Sequence, residues 1–243
     1  MKRLILSLLF EDEHLLVLNK PPGLAVVPER GPQQDTILDL LVAHLGHESP
    51  DIVHRLDKGV SGALLVAKTK DAARELSRQF EERCVEKCYW ALVDGEVAAD
   101  EGRIEAPLAA DPRDRTRVRV DPRGKASRTD YRVLERFRGY ALVELAPLTG
   151  RTHQLRVHLA HLGHPLASDE RYGVRPALLL SQLKRGYRES RRGPETPLIA
   201  RPSLHARAIS FAHPIDGRIV SCEASLPKDF QHALNALRKY RPR

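Results

Sequence analysis

The chain lacks the signatures that announce most enzyme classes. Its 243 residues include three cysteines, Cys84, Cys88 and Cys222. An odd count gives no disulfide framework, and the C-x3-C pair has no second pair to complete a zinc site. A cytoplasmic location is expected. Apolar runs stop at about five or six residues, far short of a membrane span. The opening stretch Leu4–Phe10 looks briefly like a signal peptide, but Glu11, Asp12 and Glu13 end it and no small-residue cleavage site follows. It reads as a first strand. There is no glycine-rich loop ending in Gly-Lys-Ser/Thr and no dinucleotide fingerprint, which argues against nucleotide-driven and hydride-transfer chemistry. Ser61 near His54 is not framed by a nucleophile elbow, which argues against a serine hydrolase. His153, His158, His161 and His164 lie close in sequence, yet no cysteine or acid sits among them and H-E-x-x-H is absent. They read as hydrogen-bonded structural or cleft residues, and no metal is expected. No internal repeat or low-complexity linker divides the chain.

Hydrophobic residues make up 42%, enough for a core. The formal net charge is +8, from 40 basic and 32 acidic residues. Such an excess suits a polyanion partner such as nucleic acid, and equally a solvated basic surface. Part of it is patterned: Arg113, Arg115, Arg117 and Arg119 recur every second residue. In an extended segment that puts four guanidinium groups on one face. With the turn signal Asp121-Pro122-Arg123-Gly124, it predicts a projecting basic hairpin over 111–136. A second basic stretch, 174–203, carries Lys184, Arg185, Arg188, Arg191 and Arg192.

The pattern predicts strands over Ile5–Phe10, Leu15–Asn19, Tyr89–Val93, Tyr140–Leu145, Leu204–Ser210 and Arg218–Ala224. It predicts helices over Ile37–Leu45, Asp71–Glu82 and His153–Leu162. Thr36 caps the first of these, and Gly46 ends it. A terminal helix shows Phe230, Ala233, Leu234, Leu237 and Tyr240 on one face. Lys20-Pro21-Pro22-Gly23 must leave the sheet, because proline cannot donate to a ladder. The fold class is α+β: one domain over 1–243, with a mostly antiparallel mixed sheet flanked by helices and loops.

The densest chemistry is His54-Arg55-Leu56-Asp57-Lys58-Gly59-Val60-Ser61-Gly62, followed by the apolar run Ala63–Ala67. Charges at the mouth of a buried strand are costly unless paired or used. Asp57 has bases on both sides, which favours its ionised form. That suits a nucleophile or a general base. A turn whose aspartate satisfies backbone donors fits the same residues.

This stretch resembles the catalytic motif of the RluA-type pseudouridine synthase family. Lys20-Pro21-Pro22-Gly23 through Pro28 is similar to that family's first motif, and Tyr89–Gly95 to its tyrosine-bearing strand. Gly150-Arg151-Thr152-His153-Gln154-Leu155-Arg156-Val157-His158, with Gly163-His164-Pro165-Leu166 and Asp169, resembles its last motif. Leu204-His205-Ala206 and Phe211-Ala212-His213-Pro214 resemble its closing strands. The motifs come in the family's order and span nearly the whole chain. Two features depart from the pattern. Val60 stands where the family usually has threonine, and only a few residues precede the first predicted strand. The small RNA-binding module of many relatives is therefore expected to be absent, with RNA gripped by the catalytic domain itself.

The resemblance implies isomerisation of uridine in ribosomal or transfer RNA to pseudouridine, without cofactor, on a base flipped out of its stack. It implies that Asp57 is the essential carboxylate, attacking sugar or base or removing a proton. Arg151 would be its salt-bridge partner, and Tyr89 would lie against the flipped base. Arg55 would fill the gap that base leaves. Lys20, His54, Gln154 and the hairpin residues Arg115, Arg117 and Arg119 are the remaining expected RNA contacts. The expected partner is an RNA stem-loop, with no membrane and a monomeric protein. The rival reading is a non-catalytic RNA-binding or ribosome-assembly protein on the same fold.

Overall fold

The computed structural model describes residues 6–28, 35–46, 50–188 and 193–243. In chain order the elements are β1 (Leu8–Glu11), β2 (Leu15–Lys20), α1 (Ile37–Leu45), β3 (Ser61–Ala67), α2 (Lys70–Glu81) and β4 (Glu86–Asp94). Then come β5 (Glu101–Glu105), β6 (Leu108–Ala110), β7 (Val118–Val120), β8 (Arg128–Phe137), β9 (Tyr140–Pro147) and α3 (Gln154–His161). α4 (Leu180–Leu183), β10 (Leu204–Ala212), β11 (Ile219–Glu223) and α5 (Lys228–Tyr240) complete the chain. The fold is α+β, and its residues cluster into two compact units: 1–88 with 205–225, and 89–204 with 226–243.

In the first unit β2 pairs antiparallel with β1 and with β3. β10 then runs parallel to β3, and β11 is antiparallel to β10, so the sheet is mixed. Every residue of β3 is buried. That explains its continuous apolar run, since a strand covered on both faces shows no alternation. Gly62 is required where β3 meets β10. Its φ is +117°, and a Cβ there would stand 2.1 Å from the Ala206 carbonyl oxygen. Leu15, Val17, Leu65, Leu76 and Phe211 belong to one buried cluster. Each such side chain stabilises the unit by about 1.5–3 kcal/mol through area removed from water.

Local chemistry sets both helices of this unit. Thr36 Oγ1 accepts from the Asp39 amide (3.2 Å), and Asp39 Oδ2 accepts from the Thr36 amide (2.8 Å), so two donors at the start of α1 are satisfied reciprocally. Gly46 ends α1 at φ +84°. Thr69 caps α2 through the Ala72 amide (3.3 Å). The buried Gln79 of α2 donates to Ala212 O (2.9 Å) and accepts from Ala212 N (3.2 Å), tying α2 to the end of β10.

In the second unit β9 pairs antiparallel with β4 and β8, and β8 with β5. α5 buries Phe230, Ala233, Leu234 and Leu237 as its spacing requires. They pack with Leu92, Phe137, Leu142, Leu178, Leu183 and Ile199.

Two sequence expectations need correction here. Residues 111–117 do not extend. Asp111 Oδ1 accepts from the Arg113 amide (2.9 Å), and Asp114 Oδ1 accepts from the Thr116 amide (2.9 Å) and hydroxyl (2.6 Å). These local bonds curl the segment into the loop between β6 and β7, so the four arginines do not share one face. The connection over 174–203 is not mere loop either. It carries α4 and a bridge between Leu178 and Ile199, and it contributes three buried residues to the core. Arg191 and Arg192 lie outside the described residues.

Candidate active site

Asp57 lies in the loop that leads into β3, between buried Leu56 (5% exposed) and buried Val60 (2%). The Val60 amide donates to the Asp57 carbonyl (3.0 Å) and closes a turn at the strand mouth. The Gly23 amide donates to the Lys58 carbonyl (2.9 Å), which joins this turn to the proline-bearing loop after β2. Lys20 fixes the same junction from inside. Its side chain is wholly buried, and Nζ donates to the carbonyls of Pro21 (2.9 Å), Leu24 (2.7 Å) and Lys58 (3.2 Å). Three carbonyl dipoles thus stand in for the hydration a buried ammonium loses.

This corrects the reading of Lys20 as an RNA contact, because its ammonium points into the fold and braces the Asp57 turn. His54 needs the same correction. Its Nε2 accepts from the Leu65 amide (2.9 Å), so the ring proton is on Nδ1. The ring stacks on Phe80 at 4.8 Å, and Lys87 Nζ lies 5.8 Å from the same Phe80 ring. Burial, with a smaller push from the Lys87 charge, lowers the His54 pKa from 6.5 to about 3. The imidazole is neutral at physiological pH and offers a phosphate no charge. Arg55, between the two fixed positions His54 and Leu56, is exposed. Ser61 bonds not His54 but the buried His205, Oγ to Nδ1 at 2.9 Å, while His205 Nε2 donates to Ala224 O (3.2 Å). The pair bolts β3 to β10 and offers no nucleophile.

In the second unit Tyr89 is half-buried on β4 and opposite Leu145 of β9. β9 ends at Pro147, so the loop carrying Arg151 leaves the same end of this strand pair. Gln154 organises that loop. It is buried, with 3% exposure, and all its hydrogen-bonding capacity is used. Oε1 accepts from the Thr149 hydroxyl (2.7 Å) and from the Arg151 amide (3.1 Å). Nε2 donates to Arg128 O (3.0 Å) and Thr129 Oγ1 (3.0 Å). Thr129 in turn hydrogen-bonds His158 Nδ1 (3.0 Å), whose Nε2 meets Ala106 O (3.0 Å). Burial lowers the His158 pKa, so this ring is neutral as well. Gln154 is therefore a positioning residue for the Arg151 backbone and not an RNA contact, a further correction. The Arg151 guanidinium is exposed and makes no ion pair among the described residues of its unit.

Tyr172 escaped the sequence reading altogether. It supports His153, which lies between Arg151 and α3 at φ +54°. A left-handed histidine needs such help from its surroundings. His153 Nδ1 meets the Tyr172 hydroxyl at 2.8 Å, and the same oxygen accepts from the Val118 amide of β7 (2.8 Å). Tyr172 is held in turn by Asp169, which takes the Arg156 guanidinium on both oxygens (2.7 and 2.8 Å) and the Tyr172 amide (3.2 Å). Tyr172 thus links the small β6–β7 sheet to the Arg151 loop. No local pattern carries this signal, since 19 positions separate Tyr172 from His153.

The hairpin arginines divide. Arg117 donates to the Arg171 carbonyl and lies over the Tyr172 ring at 5.3 Å. Arg119 pairs with Asp121 at 2.7 Å. Arg115 is exposed, with no ion pair among the described residues.

Comparison with known proteins gives a consistent result. The RNA pseudouridylate synthase family model matches residues 14–161. Ribosomal large subunit pseudouridine synthase D of Nitrosomonas europaea is 41% identical over 237 residues, 96% of this chain and 65% of that protein. Its namesake in Pasteurella multocida is 38% identical, covering 98% of this chain and 72% of that one. An uncharacterized RNA pseudouridine synthase of Bacillus subtilis is 38% identical over 96% of this chain and 73% of its own length. The chain thus spans about two thirds of the length of these relatives. Among solved structures, human RNA pseudouridylate synthase domain containing 4 superposes with a TM-score of 0.71 at 28% identity, covering 96% of this chain and 93% of that one.

Proposed function

The chain belongs to the RNA pseudouridylate synthase family, and from that premise we propose that it isomerises uridine to pseudouridine within RNA. In this reaction the bond from the sugar C1′ to N1 of uracil breaks, and the detached base turns. C1′ then joins C5, C5 loses its proton, and N1, freed of the sugar, takes up a proton. Atoms and electrons balance without an external reactant. The relatives' names point to ribosomal RNA of the large subunit as the substrate.

Asp57 is assigned the essential carboxylate. The observation that carries this is the construction beneath it. A buried lysine with its ammonium on three backbone carbonyls, among them that of Lys58, fixes the turn carrying the motif's one carboxylate at a strand mouth. A protein that only bound RNA would have no need to hold an anion there, since phosphate repels it. Tyr89 is assigned the face against the flipped base, where an aromatic contributes about 1–3 kcal/mol. Arg151 is assigned the cation that keeps the carboxylate ionised through the reaction. Arg55 and Arg115, both exposed, are assigned RNA contacts.

Asp57→Asn tests the assignment. The change is nearly isosteric and removes the charge. Turnover on a ribosomal RNA fragment should fall by about four decades, roughly 5–6 kcal/mol of transition-state stabilisation. RNA binding should persist. A variant that makes pseudouridine at the wild-type rate would refute the role of Asp57. A wild type that makes none on ribosomal or transfer RNA would favour the RNA-binding protein instead.

A further inference from the structure

Several arginines of the second unit have acidic partners. Arg103 pairs with Asp130, Arg128 with Glu105, Arg132 with Glu144 and Arg136 with Asp100. One corner of the unit is different. There the tail after α5 is sewn to two distant segments. The Arg138 amide, in the turn between β8 and β9, donates to Arg241 O (2.9 Å), and Phe137 bridges to Pro242. The Arg241 guanidinium donates to Leu183 O (3.0 Å) and Gln182 O (2.5 Å) at the end of α4. Tyr240, half-buried, has Lys184 Nζ at 5.8 Å and Lys239 Nζ at 5.4 Å from its ring centre.

These contacts gather Arg138, Lys184, Arg185, Lys239 and Arg243, all exposed and none in an ion pair among the described residues. Among the described residues, the acids of the adjoining elements have other partners. Glu135 holds Arg238 at 2.8 Å, Glu195 accepts from the Ser181 amide (2.8 Å), and Glu96 accepts from the Gly139 amide (3.3 Å). A helix C-terminus favours cations by itself. That accounts for Lys239 at the end of α5 and for Lys184 and Arg185 at the end of the short α4, but not for Arg138 in the β8–β9 turn or for the gathering of all of them at one corner. Like charges gathered with no acid paired to them repel one another, and a polyanion relieves them.

We propose that this corner, around Tyr240, is a docking surface for the phosphodiester backbone of RNA flanking the target uridine. Its lysines and arginines neutralise phosphates, and the Tyr240 ring holds the Lys184 and Lys239 ammonium groups together. Contacts of this kind position RNA without reading it. The proposal rests on the reading that the substrate is RNA, and it shifts the main phosphate contacts away from the hairpin, where Arg117 and Arg119 already have partners.

The test compares the full chain with the triple variant Lys184→Ala/Arg185→Ala/Lys239→Ala and with Arg119→Ala, on a large-subunit ribosomal RNA fragment. None of these residues belongs to the proposed catalytic machinery. The triple variant should bind RNA about tenfold or more weakly at about 0.1 M salt. Its slope of log affinity against log salt should be shallower by about 0.7–0.9 for each phosphate no longer neutralised. Arg119→Ala should change either by much less. Turnover at saturating RNA should stay at the wild-type level, which shows the fold intact. An unchanged affinity and slope in a triple variant that still makes pseudouridine would overturn the surface and leave the catalytic reading standing. Absence of pseudouridine from the wild type would strike that reading instead, and weaker binding in the triple variant alone would still support the surface.

Discussion

The turn bearing Asp57 and the loop bearing Arg151 are built on one plan with different chemistry. Each exposes or half-exposes a charged side chain while a buried polar one holds the backbone beneath. Under Asp57 the brace is Lys20, a full charge on three carbonyls. Under Arg151 it is Gln154, a neutral amide that donates twice and accepts twice. A charge among carbonyls tolerates small movements, because its attraction falls off gradually with distance. An amide with both ends engaged does not, because turning it places donors against donors. The first loop is therefore strong and adaptable, the second directional. The nucleophile or base proposed at Asp57 must be held against its own desolvation, whereas the guanidinium proposed at Arg151 must mainly be aimed.

Breaking the first brace should have the largest effect. Lys20→Met takes the ammonium from the Pro21 and Leu24 carbonyls, each costing about 1–3 kcal/mol when left buried and unpaired, while the Lys58 carbonyl keeps the Gly23 amide. A loss of roughly 3–5 kcal/mol of stability is expected, read as the denaturant midpoint. A loss below about 1 kcal/mol would mean that water replaces the ammonium and that Lys20 is no brace. Gln154→Glu sharpens the contrast. The carboxylate keeps both acceptor contacts but faces Arg128 O and Thr129 Oγ1 without an amide donor. About 2–4 kcal/mol of destabilisation is expected, together with a larger fall in kcat than in RNA affinity. An equal fall in both would take Gln154 out of the positioning of Arg151.

The first loop should also show a pH signature of its own. The folded His54 pKa is about 3 against 6.5 in the unfolded chain. Between those values the unfolded chain binds the extra proton, so stability is complete above about pH 6.5 and falls as pH drops toward 3. Full conversion of that shift is about 5 kcal/mol. The ring is half-buried, so water softens it and about 2 kcal/mol is expected between about pH 7 and 4. His54→Gln should flatten that stretch of the stability profile. An unflattened profile would assign the acid sensitivity to other groups. The smallest effect should follow Tyr172→Phe, which removes one hydroxyl from between Val118 and His153. About 1–2 kcal/mol is expected, with the loss of kcat exceeding any loss of RNA affinity. Unchanged kcat would cut the link from the β6–β7 sheet to Arg151.

Much of this architecture was legible in the chain. The Thr36 and Asp39 pair marks the start of α1 because a capping box is local, and Gly46 marks its end for the same reason. The stripe from Phe230 to Leu237 marks α5, and the unbroken run Ala63–Ala67 a strand buried on both faces. Asp57, Tyr89 and Arg151 stand out in the chain by their motifs, and their roles are the proposal made above. What stayed hidden was the direction of polar side chains. Lys20, His54 and Gln154 look like surface chemistry in sequence, and only their partners, up to 38 positions away for Lys20, show that they face inward. The arginine alternation over 113–119 misled because the aspartates at 111 and 114 compete for the backbone locally. Short strands such as β5 and β6 carry too few residues for a period to emerge.

The central claim is that this chain makes pseudouridine with Asp57. It is tested most directly by site-resolved mapping of pseudouridine in ribosomal RNA from cells with the gene, without it, and with only the Asp57→Asn form. The account expects one or a few large-subunit sites to vanish on deletion, to return with the wild type, and to stay absent with Asp57→Asn. A map that does not change on deletion, or one that Asp57→Asn restores in full, would contradict it.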